Sequence, residues 1–195
     1  MRLFVALDLP EPVKNSLASL IETLRPCAAL RWVKPENLHI TTKFIGEFPE
    51  EDLDLLQAAL SEIQSPAVPI SVRGLGWFPN PHRPRVFWAA VHAPDSLPAL
   101  ARATEEAVVG LGVPREGRPW APHLTLARIE ATVDLASLRR RIASLDGQDW
   151  GSFKATEFHL YKSDLRPGGS VYTRLVTFPL AVTPADSKGA NQGGL

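Results

Sequence analysis

Two short segments of this chain repeat the same residue types. Residues 39–42 and 123–126 both read His-x-Thr-x, and each lies in a run of residues typical of a β-strand. Because strand side chains alternate between the two faces of a sheet, His39 and Thr41 are expected to share a face, as are His123 and Thr125. An imidazole titrates near neutral pH, so one ring can hold a proton while the other lacks it. The repeat therefore predicts a paired acid–base device.

Phosphate chemistry suits this set of side chains. If the two imidazoles face each other across a phosphodiester, one can take a proton from an attacking water while the other protonates the departing oxygen. The hydroxyl groups of Thr41 and Thr125 can donate hydrogen bonds to the non-bridging oxygens. A duplicated scaffold without chemistry is the plainer alternative. That alternative does not require His and Thr at matching positions, where Val or Ile would suit a strand better.

Metal binding is the competing use of the two histidines. A catalytic zinc ion usually takes three protein ligands, and neither segment holds a second His, Cys or acidic residue at ligand spacing. Glu47 and Glu130, just beyond the two strands, could complete a set of two histidines and two glutamates. We nevertheless expect a site without a metal or another cofactor. His82, His92 and His159 follow no pattern and are expected to be structural.

Basic residues near the two segments are candidate contacts for an anion. Arg118 precedes His123 by five positions, and two intervening prolines stiffen the approach. Its guanidinium could bind phosphate or stack on a base, unless it is simply solvated. Lys43 alternates onto the face of His39 and could approach the same anion, although a lysine at a strand end is often only exposed. Arg128 alternates away from His123, which argues against a catalytic role for Arg128.

The elements that must position the two segments also occur twice. Each half of the chain begins with an apolar strand, at residues 3–7 and 86–90, and has a further strand-like stretch near its end. Four stretches, two in each half, follow the helical period: Val13, Leu17, Leu20, Ile21 and Leu24; Leu53, Leu56, Leu60 and Ile63; Leu97, Leu100, Thr104, Val108 and Leu111; Leu135, Leu138, Ile142 and Leu145. Each half reads β-α-β-α-β. The sequence therefore predicts a duplicated α+β fold.

The chain is expected to form one bilobal domain over residues 1–182. The duplicated units place one lobe at roughly residues 1–80 and the other at roughly residues 85–180. The stretch from Gly74 to Arg85, which is rich in proline, is expected to join the lobes. Residues 183–195 are rich in Gly, Ala, Asn and Ser, and are expected to be a disordered and dispensable tail.

Composition narrows the classes of function. Among 195 residues, 21 are basic and 21 acidic, so the formal net charge is zero. This balance argues against a general binder of duplex nucleic acid, although it leaves room for a small basic pocket around one phosphate. Cys27 is the single cysteine, which excludes an intramolecular disulfide and favours a reducing compartment. We find no signal-peptide pattern and no long apolar span, and we expect a soluble cytoplasmic protein away from membranes.

Taken together, these residues resemble the 2H phosphoesterases, a superfamily named for its two His-x-Thr-x motifs. Within it, the sequence is most similar to the RNA 2′,3′-cyclic phosphodiesterases, also called 2′-5′ RNA ligases. The similarity runs from residue 1 to about residue 180. The strings that carry it are RLFVAL at 2–7, ENLHITTKFIGE at 36–47, RPW at 118–120, PHLTLAR at 122–128 and LYKS at 160–163.

This resemblance implies a fold and an activity. The fold would be bilobal α+β, with two pseudo-symmetric lobes whose antiparallel sheets flank a central cleft and carry one motif on each side. The activity would be hydrolysis of a terminal 2′,3′-cyclic phosphate on RNA to a 2′-phosphate, without metal or nucleotide cofactor. The partner would be an RNA end bearing that cyclic phosphate, and the protein would act as a monomer.

The resemblance also implies roles for individual residues. His39 would be the proton donor to the leaving 3′-oxygen, and His123 the proton acceptor that activates water. Thr41 and Thr125 would hold the phosphate. Because the two motifs are chemically alike, the donor and acceptor labels could be exchanged.

Two more residues match family positions that flank the terminal base, namely Arg118 and Phe44. Ideal strand alternation, however, places Phe44 on the face opposite His39. The assignment of Phe44 to the substrate therefore requires that the strand bends or ends before this residue. Otherwise Phe44 belongs to the core.

Three alternative functions stay open on the sequence. The first is reversible 2′-5′ joining of RNA halves at the same site, which would give a joined product. The second is hydrolysis of another cyclic phosphate, which a panel of substrates would reveal. The third is a module that binds RNA ends without turnover, which would hold a cyclic-ended oligonucleotide without converting it.

Overall fold

The computed structural model describes residues 1–130, 132–167 and 169–181. Its strands and helices in chain order are β1 Arg2–Asp8, α1 Glu11–Leu24, β2 Arg31–Trp32, β3 His39–Glu47, α2 Leu53–Ser61, β4 Val68–Phe78, β5 Val86–His92, α3 Ser96–Val109, β6 His123–Arg128, α4 Ala136–Ala143, β7 Asp149–Ala155, β8 Glu157–Arg166 and β9 Gly169–Pro179. The predicted tail at residues 183–195 lies outside the described residues. In the described part of the chain, every helix is too short or too polar to cross a membrane.

All four helices predicted from the apolar period are confirmed. In α1, Pro12 lies in the first turn, where its missing N–H removes no intrahelical hydrogen bond. Glu11 lies at the positive end of the helix dipole. The five buried residues of this helix are the five that the sequence pattern selected: Val13, Leu17, Leu20, Ile21 and Leu24. The helical faces therefore pack against the sheets as expected.

The strands form two antiparallel sheets. One sheet has four strands in the order β3-β1-β8-β9, and the other has five in the order β2-β6-β5-β4-β7. The two histidine-bearing strands, β3 and β6, belong to different sheets and contact each other. The predicted α+β class with two antiparallel sheets is confirmed.

The predicted division of the chain into two lobes needs correction. Strand β4 comes from the first half of the chain but joins the second sheet, while β8 and β9 come from the second half but join the first sheet. The boundary at residues 80–85 therefore does not separate the sheets. Gly74 to Arg85 is not a linker between lobes, because it contains the end of β4 and the turn of the β4–β5 hairpin. Sequential strands joined by a short turn pair with each other more readily than they separate.

One continuous core lies between the sheets and the helices. Its largest fully buried side chains include Phe87, Phe158, Leu7, Leu17, Leu56 and Leu97. Strand β1 shows how the core divides the two faces of the first sheet: Leu3, Val5 and Leu7 belong to the apolar cluster, whereas Phe4, Ala6 and Asp8 alternate onto the other face. We call that other face the open face, and the residues paired with Phe4, Ala6 and Asp8 share it.

Candidate active site

His39 and His123 occupy the first positions of β3 and β6, as the repeat predicts. Both rings are half-buried. Strands β3 and β6 contact each other, and the charge of His123 contributes to lowering the pKa of His39. The indole N–H of Trp120 donates to the carbonyl oxygen of Thr41 at 3.1 Å, which ties the approach to β6 to strand β3. The structure thus brings the two motifs together.

The two imidazoles are held in the same way. Nδ1 of His39 lies 2.7 Å from the carbonyl oxygen of Asn37, and Nδ1 of His123 lies 2.8 Å from that of Ala121. Because a carbonyl oxygen only accepts hydrogen bonds, each Nδ1 carries the proton of the neutral ring. Nε2 is therefore the nitrogen that is left for proton exchange with a substrate.

Aromatic rings support each imidazole from the side. The centroid of Phe4 lies 4.8 Å from that of His39, and the centroid of Phe78 lies 4.9 Å from that of His123. Tyr172 adds an edge contact to His39 at 5.3 Å. These contacts fix the ring orientations, which acid–base catalysis requires.

Burial lowers the pKa of both histidines from the ordinary value of 6.5, because a buried site disfavours the charged form. The hydrogen bond to the neighbouring carbonyl oxygen opposes this shift in each case. The guanidinium of Arg128 contributes to lowering the pKa of both rings, whereas the charge of Asp8 raises that of His39. Burial and a hydrogen bond to a carbonyl oxygen therefore act on both rings in the same directions, but the charges nearby differ.

A β-bulge follows the threonine in each motif. The partner residues on β1 skip Thr42, which is the extra residue between Thr41 and Lys43. The partner residues on β5 skip Leu126 at the same position of the second motif. An extra residue reverses the alternation of all side chains beyond it. The duplication of the two strands thus extends to the irregularity that follows the motif.

The first bulge turns Phe44 onto the open face. Phe44 pairs with Phe4 across β1 and β3, and it is 47% exposed. The guanidinium carbon of Arg2 lies 4.9 Å from the centroid of the Phe44 ring. The strand irregularity that the assignment of Phe44 requires is therefore present, and its contact with a terminal base stays a prediction.

The same bulge corrects the assignment of Lys43. Its side chain points into the interior and is 5% exposed, with Nζ donating to Oε1 of Glu105 at 2.9 Å and to the carbonyl oxygen of Pro114 at 3.0 Å. The prediction that Lys43 contacts the substrate is wrong, because it assumed an unbroken alternation along β3. Lys43 instead links strand β3 to α3 and to the loop that follows α3.

We expect Lys43→Met to destabilise the fold by about 2 kcal/mol, because it leaves the Glu105 carboxylate and a carbonyl oxygen without this partner. Activity per folded molecule should change little, since the ammonium does not face the site. Urea unfolding followed by circular dichroism measures the first effect. Lys162→Met is the matched control, because Lys162 lies in an exposed pair with Asp164 and should contribute less than about 1 kcal/mol. A stable Lys43→Met variant with weak substrate binding would contradict this expectation.

The second bulge reveals a site residue that the sequence analysis missed. Arg128 pairs with Val86, as Thr125 pairs with Trp88, so the bulge at Leu126 returns Arg128 to the face of His123. Ideal alternation had placed Arg128 on the opposite face. The sequence contained a signal for the position of Arg128, because Phe44 and Arg128 occupy equivalent positions of the two repeats. A bend that the Phe44 assignment requires in β3 would, by the repeat, be expected in β6 as well.

Arg118 lies exposed in the loop between α3 and β6. Trp120, two residues further on, anchors that loop to Thr41. The guanidinium of Arg118 thus extends from a segment that is fixed next to the first motif, while its contact with substrate stays a prediction. Thr41 and Thr125 are half-buried on the faces of their histidines.

The carboxylates considered as metal ligands have other partners. Glu130 accepts from Arg31 at 2.7 Å, and Glu47 lies 3.8 Å from the amino terminus. Within residues 1–130, 132–167 and 169–181, three or more His, Cys, Asp and Glu side chains do not gather into a group that could hold a metal ion. His92 bonds to the carbonyl oxygen of Arg73 at 2.9 Å, and the buried His159 bonds to the hydroxyl of Thr177 at 3.0 Å.

Solved structures share this arrangement of two sheets. A structure of TT0787 from Thermus thermophilus superposes with a TM-score of 0.77 at 33% identity, covering 92% of this chain and 98% of that one. LigT from E. coli in complex with 3′-AMP superposes with a TM-score of 0.76 at 29% identity, covering 92% and 97% of the two chains. Fold and motifs together define a protein of the phosphoesterase class.

Sequence comparison identifies the family within that class. The profile of the LigT like Phosphoesterase family matches residues 7–88 and 90–172. The chain belongs to this family. An RNA 2′,3′-cyclic phosphodiesterase from Methanothermobacter thermautotrophicus is 34% identical over 183 residues, which are 92% of this chain and 99% of that protein. One from Methanocaldococcus jannaschii is 37% identical, covering 88% and 96% of the two chains.

Proposed function

We propose that this protein hydrolyses 2′,3′-cyclic phosphate ends of RNA to 2′-phosphates, with His39 as proton donor and His123 as proton acceptor. The observation that supports this most is the matched pair of imidazoles, each with Nδ1 bonded to a carbonyl oxygen and a threonine two residues further on. The names of the relatives support the substrate class, since relatives that span nearly the whole chain are RNA 2′,3′-cyclic phosphodiesterases. LigT with bound 3′-AMP shows that a relative accepts a nucleoside phosphate.

In the proposed reaction, Nε2 of His123 takes a proton from a water molecule as its oxygen attacks phosphorus. The bond from phosphorus to the 3′-oxygen breaks, and the 3′-oxygen receives the proton of Nε2 of His39. Thr41 and Thr125 donate to the non-bridging oxygens, where negative charge accumulates. The guanidinium of Arg128 balances that charge. His39 ends neutral and His123 ends protonated, and exchange with solvent restores both.

The reaction predicts a bell-shaped dependence of kcat/KM on pH, with its maximum below the ordinary histidine pKa of 6.5. The rising limb reports loss of the proton from His123, and the falling limb reports loss of the proton from His39. Burial lowers the pKa of both rings, so both limbs should move toward acid. Initial rates at low substrate concentration, across about pH 4.5 to 9, measure the profile. A maximum above neutral pH would contradict it.

Product analysis tests the proposed function directly. We expect an RNA oligonucleotide ending in a 2′,3′-cyclic phosphate to give a 2′-phosphate, at a rate unchanged by EDTA. A 3′-phosphate product would mean that the 2′-oxygen leaves and would overturn the assignment. Tight binding without conversion would instead identify a module that binds RNA ends.

Two other activities are separated by adding substrates. Addition of a second RNA with a 5′-hydroxyl end detects 2′-5′ joining, in which that hydroxyl attacks phosphorus in place of water and the 3′-oxygen again leaves. A panel of other cyclic phosphates detects a different substrate. The proposal requires that hydrolysis of the cyclic RNA end exceeds both.

We further infer that the protein acts as a monomer in the cytoplasm. Both histidines belong to one chain, so the site needs no second copy to be complete. The single cysteine fits a reducing compartment. Size-exclusion chromatography coupled to light scattering measures the oligomeric state.

A further inference from the structure

We propose that Asp8 is a positioning residue that fixes His39, rather than His123, as the proton donor. This inference rests on the proposed function, in which the two histidines exchange protons with the substrate. It addresses the question that the repeat leaves open, because two alike motifs do not say which histidine is the acid.

Asp8 lies directly opposite His39 in the register of β1 and β3. Directly paired residues of antiparallel strands point to the same face, with Cβ atoms about 5 Å apart. The Asp8 side chain is about one-third exposed, so its charge is only partly screened by water. Asp8 therefore lies on the face of the sheet that carries His39, and its charge raises the pKa of that ring.

Neighbouring strands hold the Asp8 carboxylate in place. The hydroxyl of Tyr161 on β8 donates to Oδ1 of Asp8 at 2.6 Å, and the guanidinium of Arg174 on β9 donates to Oδ2. The Tyr161 ring stacks on Phe4 at 5.2 Å, and Phe4 in turn contacts His39. Asp8 thus acts on His39 through its charge, and it is also linked to the His39 ring through the packed rings of Tyr161 and Phe4.

The second motif lacks this carboxylate. The residue directly opposite His123 in the register of β5 and β6 is Ala90, which occupies the position equivalent to Asp8. Two other features of the two sites match, namely the bond from Nδ1 to a carbonyl oxygen and the phenylalanine ring beside the imidazole. Asp8 is therefore a break in the symmetry of the two repeats.

The charged and polar groups that face His39 come from four elements. Asp8 lies on β1, Arg128 and His123 lie on β6, Tyr172 lies on β9, and the carbonyl oxygen of Asn37 comes from the turn before β3. Burial lowers the pKa of His39, while the bond to Asn37 and the charge of Asp8 raise it. Arg128 and His123 act in the opposite direction.

For His123, burial and Arg128 both lower the pKa, and only the bond to Ala121 raises it. The charge of Asp8 thus favours the imidazolium form of His39, whereas no carboxylate acts on His123 in this way. This difference in charge environment suits an acid at His39 and a base at His123.

Two of the groups that surround Asp8 are neutral at pH 7. Burial and the hydrogen bond to Asp8 raise the pKa of Tyr161 to about 12, so the phenol stays a neutral donor. His159 lies 3.6 Å from Asp8 and is fully buried, and burial lowers its pKa, so it is neutral at pH 7. Arg174 is the cation that pairs with Asp8, and its positive charge offsets part of the effect of the carboxylate on His39.

Two variants with opposite expected effects test the proposal. In Asp8→Asn, which keeps an acceptor for Tyr161, the pKa of His39 should fall while that of His123 stays. In Arg174→Gln, the pKa of His39 should rise, because the competing cation is gone. NMR titration of the two imidazole Cε1–H signals measures both values without reference to turnover. The falling limb of kcat/KM should move with His39, so Asp8→Asn should lose about three- to tenfold of its rate near pH 7.5.

Asp164→Asn is the matched control, because Asp164 lies on the same strand as Tyr161 but pairs with Lys162. It should leave both titrations and the pH profile unchanged. The proposal is overturned if His39 keeps its pKa in Asp8→Asn, or if Asp8→Asn and Arg174→Gln shift it in the same direction. Circular dichroism of each variant excludes a general loss of structure. If wild-type protein does not hydrolyse cyclic-ended RNA, the proposed function fails, while the titrations still decide the effect of Asp8 on His39.

Discussion

Replacing either His39 or His123 with alanine is expected to lower kcat on cyclic-ended RNA by at least about 10³-fold. The physical reason is that each ring supplies one of two proton transfers, and no other imidazole takes its place. His92 and His159 are held by Arg73 and Thr177, so they cannot substitute. The double variant should be little worse than either single variant, because residues that act in one step lose their effects together rather than additively.

The matched control for these variants is His92→Ala. His92 lies at the end of β5 in the same sheet as His123, but it is exposed and its ring bonds to a backbone carbonyl oxygen. Its removal should leave kcat within about threefold of the wild-type value. Rapid-quench or steady-state assays on the cyclic-ended oligonucleotide give the rates, and circular dichroism reports the fold. If His39→Ala or His123→Ala hydrolyses the oligonucleotide at a near-wild-type rate, the proposed acid–base mechanism is wrong.

Local features of the fold could be predicted from the sequence because local pattern determines them. The period of apolar residues located all four helices, and the apolar runs at 3–7 and 86–90 located β1 and β5. The shared face of His39 and Thr41 also followed, because it depends only on two neighbouring positions. Predicting these parts of the structure requires no information about which strands pair with each other.

Long-range pairing could not be predicted in the same way. The two halves of the chain exchange strands, so β4 joins the second sheet and β8 and β9 join the first. A repeat in sequence says that two units resemble each other, but it does not say which edges meet. Strands β1 and β8, for example, pair with each other although most of the chain lies between them. The three strands β2, β7 and β9 were also missed: β2 has only two residues, and the burial along β9 does not follow a simple alternation.

The errors at the site have one common cause. Each bulge reverses the faces of the residues that directly follow it, so Lys43 is internal, while Phe44 and Arg128 lie on the faces of their histidines. Thr42 and Leu126, the extra residues, are ordinary strand formers that carry no sign of a bulge. Only the pairing with β1 and β5 reveals it. Site residues within two positions of each histidine were therefore predictable, and those further along the strand were not.

Arg128→Gln is expected to lower kcat/KM on cyclic-ended RNA by about 10²-fold or more, since its guanidinium would stabilise negative charge on the phosphate. A second effect distinguishes this charge from a merely structural role. Burial lowers the pKa of both histidines and the cation of Arg128 adds to that, so its removal should raise both pKa values. The bell-shaped profile of kcat/KM against pH should therefore shift to higher pH in the variant. The pKa values of both rings, measured by NMR titration, should rise as well.

Arg31→Gln provides the control for charge in the same part of the sheet. Arg31 lies directly beside Arg128 across β2 and β6, but its guanidinium is about half-exposed and is paired with Glu130. Its removal should leave the pH profile in place and change kcat/KM by less than about threefold. The role of Arg128 is wrong if its variant loses activity with an unshifted profile, because a cation that contacts the phosphate between two imidazoles must act on the protonation of both.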